Sequence, residues 1–300
     1  MRPVSLVNIA LLLLAGCADQ EPDARDAAAM IDAAVQADSL RREVGAPGEV
    51  ALKQGPAGQF VKQITVSGLK RGYLLHVPAA VAAASEPVPA LVALHGAGDR
   101  ADSFALGTGL QQLADARRFI LIAPQALKIG SATLWGASSS EGWSAPDGQQ
   151  NSVPNDLELI LGALAATRSA YALDERKLYL CGFSRGAGFT GLVATASGVA
   201  FQPFESPFAA YAVAAGFDMF GGKLDLTKSQ PKRPVWLIHG SADSSVPASM
   251  GKSFASALVK AGWKDIKLTV VQGAPHSWLW RPAFGQTNQD LWNWMEQNAK

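Results

Sequence analysis

Short continuous apolar runs alternate along most of this chain with longer stretches whose apolar residues recur at helical spacing. From about Gln59 onward the runs begin as a pair, Phe60 to Val66 and Gly72 to Val77, which reads as two strands in a hairpin. Ala90 to Leu94, Phe119 to Ala123, Lys177 to Cys181, Phe208 to Ala215, Val235 to Ile238 and Ile266 to Val271 are strands by the same pattern. Helices are predicted between them, over Phe104 to Arg117, Asp156 to Ser169, Gly186 to Ala196, Ala248 to Ala261 and Asn288 to Gln297. Asn155 or Asp156 stands where the second of these needs an N-cap. Continuous apolar strands need cover on both faces, so the alternation predicts an α/β protein with a mainly parallel central sheet and helices on either side. In such sheets, chemistry gathers beyond the carboxyl ends of the strands.

The residues before Gln59 follow a different pattern. Arg2 supplies a short positive region, and Val4 to Ala15 is apolar apart from Ser5 and Asn8. This layout is a secretory signal, too short for a comfortable membrane span. It ends in Leu14-Ala15-Gly16-Cys17, which resembles the bacterial lipobox, where the cysteine is lipidated on sulfur and becomes the first mature residue. Ala18 to Val44 is rich in Ala and Asp and poor in large apolar residues, a frayed helix or a flexible tether. The expected organisation is a lipoprotein signal peptide over 1–16, a tether over 17–58 and one catalytic domain over 59–300. The expected location is the outer face of a bacterial membrane, or the periplasm or exterior if the anchor is cleaved. An ordinary signal peptide that contains a cysteine is the alternative.

Composition narrows the partners. Lysine and arginine number 26 against 25 acidic residues, so no charge excess favours nucleic acid. With 48% hydrophobic residues in 300, the chain can bury one large core. Its two cysteines, Cys17 in the processing signal and Cys181 in an apolar strand, do not read as a disulfide pair. The four histidines are scattered, with no Cys or Glu at ligand spacing, and no metal site is expected.

The strongest local signal for chemistry is Gly182-Phe183-Ser184-Arg185-Gly186, directly after one predicted strand and at the start of a helix. G-x-S-x-G carries weight in that context, because the glycines permit a sharp turn that lifts the serine hydroxyl clear of the sheet. When the triad order is serine, acid, histidine, the base must follow Ser184. His239 lies within a strand and its turn, before any plausible acid, and reads as a structural histidine; His276, on a loop after the last strand, is the candidate base. Asp243, just past a strand tip in His239-Gly240-Ser241-Ala242-Asp243, is the candidate acid, with Asp218 as its main rival and Asp156, better explained as a helix cap, as another. An oxyanion hole needs two backbone N–H groups. Arg185, after the nucleophile, is one candidate, and Ala97 in His95-Gly96-Ala97-Gly98 is the other, with Gly96 close behind. His95 is expected to brace this loop. Trp135 and Trp143, in the polar stretch Gly130 to Asn151, and Trp278, beside the base, are candidates for substrate contact, with rim or core packing as the alternative.

Together with Gly72-Tyr73-Leu74-Leu75-His76-Val77-Pro78, Val246-Pro247 and Pro275-His276-Ser277-Trp278, these segments resemble the polyhydroxybutyrate depolymerase and feruloyl esterase group of α/β-hydrolases. The resemblance runs from about Gln59 to the end. It implies the α/β-hydrolase fold, export, and cleavage of carboxylic esters without a cofactor, the ester being a small molecule or a polymer end. Two alternatives remain at this stage: a serine peptidase of the same fold, and a non-catalytic binding lipoprotein on this scaffold.

Overall fold

The computed structural model describes residues 55–66, 68–129, 132–136, 138–139, 142–143, 155–197, 204–219, 221–222 and 224–300; for 129, 132–134, 138–139, 142–143 and 155 it describes the backbone alone. Cys17, the signal segment and all but the end of the tether lie outside the described residues.

The chain enters through a hairpin, β1 (Gly58–Val66) and β2 (Leu69–Val77), paired antiparallel. A short helix α1 (Ala79–Ala82) leads to β3 (Val88–Leu94), then α2 (Ala101–Gly107), α3 (Leu110–Arg117) and β4 (Ile120–Pro124). Two small strand pairs follow: β5 (Leu127–Ile129) with β6 (Ala132–Leu134), and β7 (Ser138–Ser139) with β8 (Gly142–Trp143). After α4 (Asn155–Ala170) come β9 (Leu173–Phe183), α5 (Arg185–Ala196), β10 (Ala210–Ala214), β11 (Val235–Gly240), α6 (Ala248–Lys260), β12 (Ile266–Val271) and α7 (Asn288–Gln297). The main sheet has eight strands in the order β1-β2-β4-β3-β9-β10-β11-β12. Every pairing from β4 to β12 is parallel, and the hairpin edge is antiparallel.

The period-two pleat divides the strand residues between two cores. Val92, Leu94, Ile122, Leu178 and Leu180 face one way and pack with Leu157, Ile160, Phe189 and Phe254 of α4, α5 and α6. Leu91, Ala93, Leu121, Tyr179 and Cys181 face the other way and pack with Phe104, Leu110 and Trp292 of α2, α3 and α7. Burial on both faces explains why these strands read as unbroken apolar runs.

The single helix expected over Phe104 to Arg117 is two. Thr108 turns its hydroxyl back onto the Phe104 carbonyl at 2.7 Å, and Gly109 adopts a left-handed φ of 76°, so the chain breaks between α2 and α3. Asp156 is not a cap either. It is buried in the first turn of α4, where its Oδ1 accepts from Arg71 Nη2 of β2 and its Oδ2 from the Gly136 N–H at 2.7 Å.

Candidate active site

Ser184 sits between the end of β9 and the start of α5, with φ 54° and ψ −119°. A side-chain-bearing residue held at positive φ costs about 1–3 kcal/mol and persists only where its surroundings over-determine it. Here they do. The Ser184 N–H donates to the Ala214 carbonyl of β10 at 2.9 Å, and the Ser184 carbonyl accepts from the Gly188 N–H at 3.0 Å. A Cβ on Gly182 would lie 2.4 Å from the Gly186 carbonyl oxygen, and one on Gly186 would lie 2.4 Å from that of His95. Both glycines of the motif therefore close the elbow sterically.

The elbow brings Ser184 to residues far away in sequence. Ser184 Oγ lies 2.9 Å from His276 Nε2, and His276 Nδ1 lies 2.7 Å from Asp243 Oδ2. The other carboxylate oxygen of Asp243 accepts from the N–H groups of Ser245 and Val246, at 3.0 and 2.8 Å. Four hydrogen-bond partners, counting both oxygens' neighbours, would be the capacity of a carboxylate; three are filled here within the turn and the imidazole, which keeps the buried charge solvated by protein. The Phe183 ring lies against His276, with centroids 4.8 Å apart. Asp218, the rival acid, accepts from the Gly222 N–H at 2.7 Å and closes a turn of its own. His239 is buried, and its Nε2–H donates to the Val246 carbonyl at 2.7 Å, bracing the loop that carries Asp243.

The segments that carry the two expected oxyanion donors both border the elbow. Arg185 opens α5, and a first-turn N–H has no acceptor within its own helix. A Cβ on Gly96 would lie 3.6 Å from Ser184 Cβ and 3.2 Å from the Phe183 ring, so the loop after β3 packs against the elbow at the residue before Ala97. His95 fixes that loop from behind. Its Nε2 accepts from the Ala126 N–H at 3.1 Å, which leaves Nδ1–H to donate to the Gly96 carbonyl at 2.7 Å. Gln125 donates to the same Nε2 at 3.0 Å. Burial holds the His95 imidazolium below its ordinary pKa, against the opposing pull of the Gly96 carbonyl, Asp99 and Asp156.

Two tryptophans expected to meet substrate do not face it. Trp135 is fully buried between the His95 and Phe189 rings, and its indole N–H is taken by the His95 carbonyl at 2.7 Å. Trp278 is buried against Phe104 and Trp280 and donates to Asn288 Oδ1 at 2.9 Å. The side chain of Trp143 lies outside the described residues. Gln125, Arg71 and the guanidinium of Arg185 gave no sign in the sequence of belonging to this region, and Asp156 enters it through Arg71 and Gly136, neither as the acid nor as a cap.

A family model for the esterase PHB depolymerase matches residues 71–223, which hold the elbow, the His95 loop and Trp135. The chain belongs to the esterase PHB depolymerase family. That makes the protein an esterase of the α/β-hydrolase type, with a serine hydrolase's constellation at its elbow. Solved structures share the fold of this PHB depolymerase family member at low identity. A thermostable esterase superposes with a TM-score of 0.57 at 19% identity, over 81% of this chain and 63% of that one. A ferulic acid esterase gives 0.59 at 13%, over 81% and 98% of the two chains. Esterase 2 of Thermogutta terrifontis, phosphorylated by paraoxon, gives 0.54 at 18%, over 85% and 94%. The chain thus spans less than two thirds of the thermostable esterase but nearly all of the other two.

Proposed function

We propose that the protein is an exported serine esterase that hydrolyses carboxylic esters, of the polyhydroxyalkanoate or the feruloyl and aryl type, through an acyl-enzyme on Ser184. The observation that carries this reading is the hydrogen-bonded chain from Ser184 Oγ through His276 to Asp243, built on a strained elbow. His276 Nε2 takes the hydroxyl proton as Ser184 Oγ attacks the ester carbonyl, and Asp243 holds the tautomer and stabilises the imidazolium. The backbone N–H groups of Arg185 and Ala97 receive the oxyanion. The intermediate collapses as His276 gives its proton to the leaving alcohol, and a water deprotonated by the same imidazole then releases the acid. The ester class rests on the family and on the fold shared with a ferulic acid esterase.

Export and a lipid on Cys17 form part of the same proposal, supported by the apolar Val4 to Ala15 segment and the Leu14-Ala15-Gly16-Cys17 sequence. The catalytic part is tested by assaying nitrophenyl, feruloyl and hydroxybutyrate esters with protein lacking the residues up to Cys17. Ser184→Ala and Asp243→Asn should each lower turnover by about three or more orders of magnitude, while Asp218→Asn leaves it near wild type. Retention of more than about a tenth of turnover in Ser184→Ala would remove it as nucleophile. Loss in Asp218→Asn but not Asp243→Asn would move the acid to the earlier strand.

A further inference from the structure

Trp135 touches both halves of the oxyanion hole from outside it. Its side chain donates from Nε1 to the His95 carbonyl at 2.7 Å, immediately before the Gly96-Ala97 turn. Its backbone carbonyl accepts from Arg185 Nε at 2.9 Å, and the adjoining Gly136 carbonyl accepts from Arg185 Nη2 at 2.9 Å. Arg185 is also the residue whose backbone N–H stands beside Ser184. One residue thus links the helix that supplies one donor to the loop that supplies the other.

The strut is itself anchored at both ends. Gly136 donates its N–H to Asp156 Oδ2, and Asp156 Oδ1 is held by Arg71 Nη2, which also donates to the Gln125 carbonyl at 3.2 Å. The Gln125 side chain returns to His95 Nε2 at 3.0 Å, so the hydrogen bonds form a closed circuit: His95, Trp135, Gly136, Asp156, Arg71, Gln125 and back. The indole is clamped between His95, with centroids 5.1 Å apart, and Phe189 of α5, at 5.9 Å, both rings tilted to it. A buried circuit of this kind has few alternative arrangements, because each broken link leaves a polar group without a partner in a low dielectric.

We propose that Trp135 is a positioning residue for catalysis, a strut that sets the separation of the Arg185 and Ala97 N–H groups. The proposal rests on the acyl-enzyme reading above. It predicts an effect on the transition state and little on substrate binding, since donors aimed at a developing oxyanion act chiefly there. Complete loss of an oxyanion donor costs about two to three orders of magnitude, and a strut that only loosens one costs less.

The test is Trp135→Phe, which keeps the ring between His95 and Phe189 but removes the N–H. Ester hydrolysis is followed with p-nitrophenyl butyrate, normalised to the burst endpoint so that only competent molecules count. The expected result is a fall in kcat of about 10- to 100-fold with KM nearly unchanged. Affinity for an aliphatic trifluoromethyl ketone, whose hemiketal carries the oxyanion, should weaken by a similar factor. The acid limb of the pH profile should not move, because the His276–Asp243 pair is untouched. A kcat within about twofold of wild type, or a change confined to KM, would overturn the strut. If Trp135→Phe does not fold, Arg185→Lys releases the other end, since an ammonium cannot grip both carbonyls as the guanidinium does, and the same results decide. An inactive wild type, or a fully active Ser184→Ala, would instead mark failure of the acyl-enzyme reading.

Discussion

His95 shows how a residue outside the triad makes conditions for it. A backbone N–H already points at its Nε2, so protonation there has nowhere favourable to go. Burial adds to this and lowers its pKa from the ordinary 6.5. The unfolded chain therefore takes up this proton at a higher pH than the folded one. The contribution of His95 to stability is complete above about pH 6.5 and is lost progressively as pH falls towards the lower folded value. Urea unfolding between pH 5 and 8 should show stability rising with pH up to about 6.5 and levelling beyond it, by at most about 1.4 kcal/mol per pH unit from this group. His95→Gln, which does not titrate, should flatten that part of the slope. An unchanged slope would place its origin in another residue.

At the scale of elements, the contact between β9, α5 and the loop after β3 decides the geometry. A methyl group on Gly186 would lie 2.4 and 2.5 Å from the carbonyl oxygens of His95 and Leu94, both main-chain atoms with no room to move. Gly186→Ala should therefore destabilise the protein by about 1–3 kcal/mol or more and displace the oxyanion loop, with a larger loss of turnover than of folded protein. Gly188→Ala is the control. Its methyl would meet the Met219 side chain at 2.9 Å and the Phe217 ring at 3.3 Å, and a thioether can turn aside. Denaturant midpoints and ester turnover of the two variants check the contrast; equal effects would show that the elbow tolerates a Cβ at Gly186. The last helix, by comparison, declares itself locally: Thr287 and Asp290 form a reciprocal capping box at its start, and α7 begins and ends at the residues expected.

For the whole molecule, the described residues account for the hydrolase body, and the anchor is a proposal on the sequence before it. No triad member precedes Ser184, and the first described strand begins at Gly58. Protein expressed in a lipoprotein-competent bacterium should fractionate with membranes and take up an alkyne-tagged fatty acid. Cys17→Ser should release it or block its processing. Chains starting near Gly48 should be soluble and as active per molecule on soluble esters. Absence of label on the wild type would leave an ordinary exported esterase, and a folded but inactive truncated chain would place the tether in the active site.

Sequence by itself determined the layered α/β architecture, because a strand buried on both faces must be apolar throughout and an amphipathic helix must repeat at its own period. It also determined the elbow motif, although only Gly182 answers to a local neighbour, the Gly186 carbonyl, while Gly186 is required by the His95 and Leu94 carbonyls of the loop after β3. Ser184, Asp243 and His276 could be named because each follows a strand end, and those ends meet along one edge of a parallel sheet. What only the tertiary structure decided is which polar residues hold that edge in place. Arg71 and Asp156 are 85 residues apart, Trp135 and His95 are 40 apart, and Arg185 and Trp135 are 50 apart. No periodicity connects such positions. A tryptophan in a polar stretch looks the same in sequence whether its indole faces a substrate or a backbone carbonyl. Burial and the direction of one N–H separate the two, and both exist only once the sheet has brought the loops together.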